Sequence, residues 1–286
     1  MHDDAGEIAV TSRAVTVASL VGGASAALYA LVAGSAFLMQ RAMIYPAPAF
    51  PVEPNAPGAT LERFSDVNGT TGYALYAPAP PGAPTLVHFH GNGEDLAGQA
   101  LLIRDLQRAG LGVFAVEYPG YGVAAGVPRN ETSIYATAEA AIRHLVTLGV
   151  ARDAIVLQGQ SLGTGVAVEM ARRGHGVRLV LISPYTSMVD MARLVTPFLP
   201  VSWLMLDRYE TERKAPSLAL PALVIHGTDD EVVPFRMGER VARLLPHAEF
   251  LPVPRRHHND LFDGDVDVLA KIAAFARGAD NGTPKR

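Results

Sequence analysis

The chain is predicted to form an α/β domain on a mostly parallel, doubly wound sheet with helices on both faces. Three observations carry that reading. From residue 85 onward, short β-branched runs alternate with longer amphipathic segments. Such alternation implies right-handed crossovers, which bury a parallel sheet between two helical layers. With an apolar N-terminal stretch set aside, the rest of the 286 residues suffices for one large core. Glycine-bearing turns also follow several apolar runs, at the sheet edge where such domains collect ligands.

Residues 14–39 carry no formal charge and lie between Arg13 and Arg41. A bilayer core needs about 20 apolar residues, so a single transmembrane anchor is expected there, within an N-terminal unit of residues 1–41. A cleaved signal peptide is the alternative, because Gly34-Ser35-Ala36 offers small residues for cleavage. The apolar stretch is longer than the usual signal core, however, and the residues before it are acidic. One arginine flanks each end, so the positive-inside rule leaves orientation open. The domain that follows is expected on the extracytoplasmic side.

The second unit, residues 42–286, opens with a Pro/Ala linker over 42–60. Strands are predicted near 61–67 and 72–76, with a Pro-rich turn at 78–82. Next come a strand at 85–90, a helix at 95–109, a strand at 112–116 and a helix at 131–147. A strand at 154–158, a helix at 161–173 and a strand at 177–182 follow. The chain closes with a strand at 222–226, a helix at 235–245, a strand at 249–253 and a helix at 260–276. Residues 184–214 break the rhythm: they are apolar, hold Pro197 and Pro200, and contain the sole tryptophan, Trp203. A small cap over the carboxyl edge of the sheet is expected there.

Gly159-Gln160-Ser161-Leu162-Gly163 lies between a predicted strand and a predicted helix. That context presents Ser161 at the tip of a sharp turn, where glycines permit close backbone approach. A serine hydroxyl needs a base, and the base needs an orienting acid. Two loops at strand ends supply them. One holds Asp229-Asp230, the other His257-His258. Each also has a structural use: the aspartates suit a loop cap, and Asn259 or Asp260 suits the start of the last helix. An oxyanion would need two backbone N–H donors. Leu162, first in the helix, is one candidate, and the loop His90-Gly91-Asn92-Gly93 offers Asn92 as the other. His90 is expected to brace that loop, and Glu117-Tyr118-Pro119-Gly120-Tyr121-Gly122 to form a rigid wall.

Composition narrows the remaining classes. The net charge is −4 with no basic stripe, which argues against a nucleic-acid partner. The absence of cysteine excludes a thiol nucleophile, disulfides and thiolate zinc sites. No P-loop, dinucleotide fingerprint or H-E-x-x-H run is present, so no metal or organic cofactor is expected.

The motifs together resemble the α/β-hydrolase superfamily, closely the membrane-anchored serine hydrolases of its serine-aminopeptidase-like branch. The resemblance covers almost everything after residue 40. It rests on Ile44-Tyr45-Pro46, His90-Gly91-Asn92, Tyr118-Pro119-Gly120-Tyr121-Gly122, the Ser161 elbow and Ser183-Pro184-Tyr185-Thr186-Ser187. Leu199-Pro200, His226-Gly227-Thr228-Asp229-Asp230-Glu231-Val232-Val233-Pro234 and His258-Asn259-Asp260 complete it. It implies Ser161 as nucleophile, Asp230 as acid and His258 as base, with Leu162 and Asn92 as oxyanion donors. Arg255-Arg256-His257 departs from the small residues usual before the base, and two cations there either attract anionic substrates or face solvent. The implied activity is hydrolysis of carboxylic esters or thioesters by an esterase or lipase-like enzyme. The apolar cap and nearby bilayer favour hydrophobic acyl groups, so the expected partners are a small-molecule or lipid acyl ester and the membrane. A serine peptidase or amidase is the alternative, and a noncatalytic membrane-anchored binding module a third reading.

Overall fold

The computed structural model describes residues 4–48, 52–127 and 129–278. The first three residues, part of the predicted linker and the last eight residues therefore lie outside the described residues.

Helix α1 (Asp4–Ile44) precedes the sheet. Strands β1 (Thr60–Ser65) and β2 (Thr71–Ala77) form an antiparallel hairpin. The alternation then begins with β3 (Thr85–Phe89), α2 (Ala100–Arg108), β4 (Gly112–Val116) and α3 (Glu131–Thr147). It continues with β5 (Ile155–Gln160), α4 (Leu162–Arg172) and β6 (Arg178–Ile182). Three short helices follow, α5 (Met188–Val195), α6 (Val201–Leu204) and α7 (Thr211–Lys214). The last elements are β7 (Ala222–Gly227), α8 (Phe235–Leu244), β8 (Ala248–Val253) and α9 (Val268–Ala276).

The sheet has eight strands in the order β1-β2-β4-β3-β5-β6-β7-β8. From β4 to β8 every pairing is parallel, and β2 meets β4 antiparallel. Successive strand residues feed opposite layers, as the pleat requires. Leu86, Val113, Val156 and Val180 pack with Ile103 of α2 and Ile272 of α9. Val87, Phe114, Leu157 and Leu181 pack with Ile142 of α3, Val166 of α4 and Val241 of α8. Each such side chain contributes roughly 1.5–3 kcal/mol of burial. Strands β3, β4 and β7 are buried throughout, which is why they read as continuous apolar runs.

Several element boundaries differ from expectation; α2, for example, begins at Ala100 instead of 95, after a single turn over Leu96–Gln99. The last helix begins at Val268 instead of 260, with the Asp267 side chain accepting from Ala270 N–H at 2.8 Å. Asn259, Asp260, Asp263, Gly264 and Asp265 favour turns over helix, and Asp260 instead accepts from His257 N–H at 2.6 Å. Helix α1 runs to Ile44, into the segment expected to be extended, and Tyr45 after it is fully buried.

Among the described residues one helix is long and apolar enough to cross a membrane, over Ala18–Ile44. Its later turns lie against the segment between β6 and β7. Tyr29 Oη donates to Phe198 O at 3.0 Å, and Gln40 Nε2 donates to Leu204 O at 3.2 Å. Leu206 N–H donates to Gln40 Oε1 at 2.8 Å, and Arg41 pairs with the buried Asp207 at 3.1 Å. Tyr45 and Tyr209 join hydroxyls at 3.1 Å.

The sheet interior holds one polar pair. Gln158 Nε2 donates to His88 Nδ1 at 3.2 Å across β5 and β3, leaving His88 Nε2 and Gln158 Oε1 without a partner. Burial, with His90 nearby, pulls the His88 imidazole down to about 3. The unfolded chain therefore takes a proton here that the folded chain refuses. Its contribution to stability is complete above pH ~6.5 and is lost as pH falls toward ~3. His88→Leu should flatten that acid slope in thermal unfolding of the full chain in detergent. Superimposable pH profiles would show that His88 does not contribute to it.

Candidate active site

Ser161 joins β5 to α4 in a backbone conformation hostile to side chains, with φ +49° and ψ −116°. The surroundings hold it there. Ser161 N–H donates to Ile182 O at the end of β6, at 2.9 Å. Thr164 donates to Ser161 O from both its N–H, at 3.0 Å, and its hydroxyl, at 2.6 Å. The two motif glycines make the turn possible. A Cβ at Gly159 would press on the Gly163 and Thr164 backbone, 2.7 Å from Thr164 Cα. A Cβ at Gly163 would overlap the Phe89 carbonyl and stand 2.8 Å from His90 O. Gly163→Ala must push α4 off β3, and should destabilise the fold by about 1–3 kcal/mol. A denaturation midpoint equal to that of the parent would refute this packing.

The two loops that offered an acid and a base separate clearly. Asp230 and His258 are buried and joined, with His258 Nδ1–H donating to Asp230 Oδ2 at 2.8 Å. Asp229 and His257 are exposed, and His257 pairs with Glu231 at 3.0 Å. The other Asp230 oxygen accepts from Val232 and Val233 N–H groups at 2.9 and 2.8 Å. Burial alone would raise the Asp230 carboxyl, but hydrogen bonds from His226 and His258 hold it far below the usual carboxylate range. Among the described residues no hydrogen bond joins Ser161 to His258. Their chain neighbours Gln160 and Asn259 line one cavity. Nucleophile–base contacts of this kind commonly tighten only when substrate is bound. Arg256 turns to Asp260 at 3.5 Å, and Arg255 stands in solvent near Asp265. Neither arginine is aimed at the cleft by these contacts.

The expected oxyanion donors are both available. Leu162 N–H opens α4, and Asn92 N–H lies in the exposed loop after β3. Among the described residues neither donates to another group of the chain. The positive end of α4 adds to the field at Leu162.

The loop carrying Asn92 is braced by a buried ion pair. His90 Nε2–H donates to Glu117 Oε1 at 3.1 Å, and Nδ1–H to Gly91 O at 2.8 Å. Both ring nitrogens face acceptors, so the doubly protonated ring satisfies them. Burial opposes that charge, but Glu117 raises the imidazole above its ordinary value. Glu117 also accepts from Leu96 N–H at 3.2 Å, and Tyr118 Oη donates to His90 O at 2.8 Å. Sequence reasoning placed Glu117 in a wall and missed it as the centre of this brace. The available signal was a carboxylate directly ending a wholly apolar strand. His226 was missed too. Its Nε2–H donates to Val233 O at 2.9 Å and lies 3.2 Å from Asp230 Oδ2, fixing the acid from behind. Among the described residues no cluster of three or more His, Cys, Asp or Glu could hold a metal ion.

Two cavities are lined by residues of the elbow or of the loop after β3. One, of about 990 Å³, is polar and includes Glu94, Asp95, Gln160 and Asn259. The other, of about 230 Å³, is apolar and runs from Asn92 between α1 and the α5–α6 segment.

Comparison with known proteins agrees with this fold. Residues 81–209 match the family model described as serine aminopeptidase, S33. The uncharacterized protein Rv2307c of Mycobacterium tuberculosis is 34% identical over 262 residues, covering 87% of this chain and 92% of that protein. The α/β-hydrolase domain-containing protein aho-3 of Caenorhabditis elegans is 37% identical over 190 residues, 65% of this chain and 56% of that one. Human α/β-hydrolase domain-containing protein 17C is 36% identical over 186 residues, 64% of this chain and 55% of its own. The match thus spans little more than half the length of the last two. A Pyrococcus furiosus esterase structure superimposes with a TM-score of 0.65 at 16% identity, over 81% of this chain and 97% of that one. The chain belongs to the α/β-hydrolase family.

Proposed function

We propose that the protein is a membrane-anchored serine hydrolase that cleaves carboxylic esters or thioesters of hydrophobic acyl groups. The observation that carries this reading is the strained Ser161 at the head of α4, together with the buried Asp230–His258 pair and the Leu162 and Asn92 N–H groups, which make no hydrogen bond among the described residues. His258 Nε2 takes the Ser161 proton as Oγ attacks the acyl carbon. The oxyanion is received by Leu162 and Asn92 N–H groups, and Asp230 stabilises the imidazolium. The carbon–oxygen or carbon–sulfur bond breaks, and the leaving group takes the proton from His258. Water, deprotonated by His258, then attacks the acyl-enzyme, which releases the acid and restores Ser161.

The apolar cavity at Asn92 supports an acyl chain over an amino group, since no charged residue lines it. The polar cavity favours a second reading, because Glu94 and Asp95 would suit the α-amino group of a peptide. Turnover of p-nitrophenyl esters of graded chain length should exceed that of aminoacyl anilides. Faster anilide turnover would favour the peptidase reading. The Ala18–Ile44 helix, most of whose apolar side chains are exposed, supports the anchor. Carbonate extraction should leave the protein in the membrane pellet, and release would refute a spanning helix.

A further inference from the structure

We propose that α1 and the α5–α6 cap form one membrane-embedded acyl-binding unit, so that the acyl chain enters the site from the bilayer. This rests on the reading that α1 spans the membrane and that Ser161 hydrolyses acyl esters. The apolar cavity has α1 as one wall, through Ala36, Phe37, Met43 and Ile44. Its other wall comes from the cap, including Met191 and Leu204, and Asn92 lines it too. The anchor helix is therefore part of the binding site as well as a tether.

The depth of the cap follows from helix geometry. Ala18–Ile44 is 27 residues, about 40 Å of helix. The hydrocarbon core is about 30 Å thick. Tyr29 lies about 16 Å from one end of this span and about 22 Å from the other. For a helix along the bilayer normal, every placement of the hydrocarbon core within that span includes Tyr29. The Tyr29 hydroxyl is bonded to Phe198 O, so the Phe198 tip of the cap lies at the same depth. Its surface suits that place: Val195, Phe198 and Trp203 are 70%, 61% and 88% exposed. They adjoin a helix whose own Leu38, Met39 and Met43 are uncovered. An apolar patch of this kind facing water would be costly, whereas facing acyl chains it is not.

Gln40 fixes the arrangement. It is buried, bonds the backbone of Leu204 and Leu206 at the C-terminal end of α6, and lies one turn before the end of α1. In a low dielectric, leaving those groups unpaired is unfavourable, so α1 and the cap stay together. An ester dissolved in the leaflet can slide its chain between them and bring its carbonyl to Asn92 and Ser161.

Trp203, the sole tryptophan, reports directly on this. The full chain is reconstituted in phosphatidylcholine vesicles, with or without bromine on the lipid acyl chains. Brominated chains should quench most Trp203 fluorescence, while aqueous iodide should have little effect. Quenching by iodide without quenching by bromolipid would overturn the immersion. Protection from both would mean that a protein covers this face, which overturns it equally. Ala36→Phe and Met191→Trp narrow the cavity from opposite walls. Each should lower kcat/KM for p-nitrophenyl palmitate about tenfold or more while sparing the acetate. Equal loss on both esters in both variants would refute the cavity as the acyl site. A parent chain that hydrolyses neither ester would refute the hydrolase reading, while Trp203 quenching would still report the depth of the cap.

Discussion

Replacing Ser161 with Ala is expected to lower kcat on an activated ester by about 10⁵- to 10⁶-fold and to abolish labelling by a fluorophosphonate. The size follows from the arrangement. Without Oγ, His258 has no hydroxyl to activate, and only binding and the two N–H donors remain, worth roughly 10³-fold over water. Ser183 is the informative control. It also has a positive φ, at +50°, and its hydroxyl has no partner. It is completely buried, so a phosphonate cannot reach it. Ser183→Ala should label like the parent. Equal labelling of Ser161→Ala and the parent would sink the nucleophile assignment and favour a binding module on a hydrolase scaffold.

Asp230→Asn should lower kcat about 10⁴-fold with little change in KM or in the fold. The mechanism is a tautomer switch. Asp230 Oδ1 serves the Val232 and Val233 N–H groups, so an asparagine oxygen is drawn there and its amide NH₂ turns toward His258. Nδ1 must then accept, the ring proton moves to Nε2, and His258 can no longer take a proton from Ser161. A kcat within tenfold of the parent would contradict this role for Asp230. Because His226 and His258 hold the carboxyl far below its usual range, against its burial, Asp230 stays ionised through the mildly acidic range. Its contribution to stability is present above pH ~4 and is lost only as pH falls further below.

Much of the fold was legible because the parallel strands are buried on both faces and therefore read as short apolar runs. Strands β3 and β4 lie close to where periodicity placed them. The boundary of α9 was not legible, because an acidic, glycine-bearing run carries the same cap residues whether a helix starts at its beginning or its end. The Ser161 elbow stood out because Gly159 and Gly163 answer to backbone contacts in one short segment. The acid and the base did not stand out, since adjacent aspartates and adjacent histidines are equivalent by spacing. Burial distinguishes them, leaving Asp229 and His257 in solvent. Glu117 and His226 escaped notice for the opposite reason: each acts on another residue across the fold, and such pairings leave no local pattern. The contacts of α1 with the cap are long-range in the same way, since Gln40 and Leu206 are far apart in sequence.

The wall that α1 contributes to the apolar cavity has a practical consequence for producing the protein. The usual remedy for a tethered enzyme is to remove the tether and purify what remains. Here that deletion would strip Ala36, Phe37, Met43 and Ile44 from the cavity and expose the face of the cap they cover. Under the proposed acyl-site reading, a trimmed chain would keep Ser161, Asp230 and His258 yet report the chain-length preference of a different enzyme. Substrate profiling therefore belongs with the intact chain in detergent or lipid, where the proposed tether and acyl site stay together.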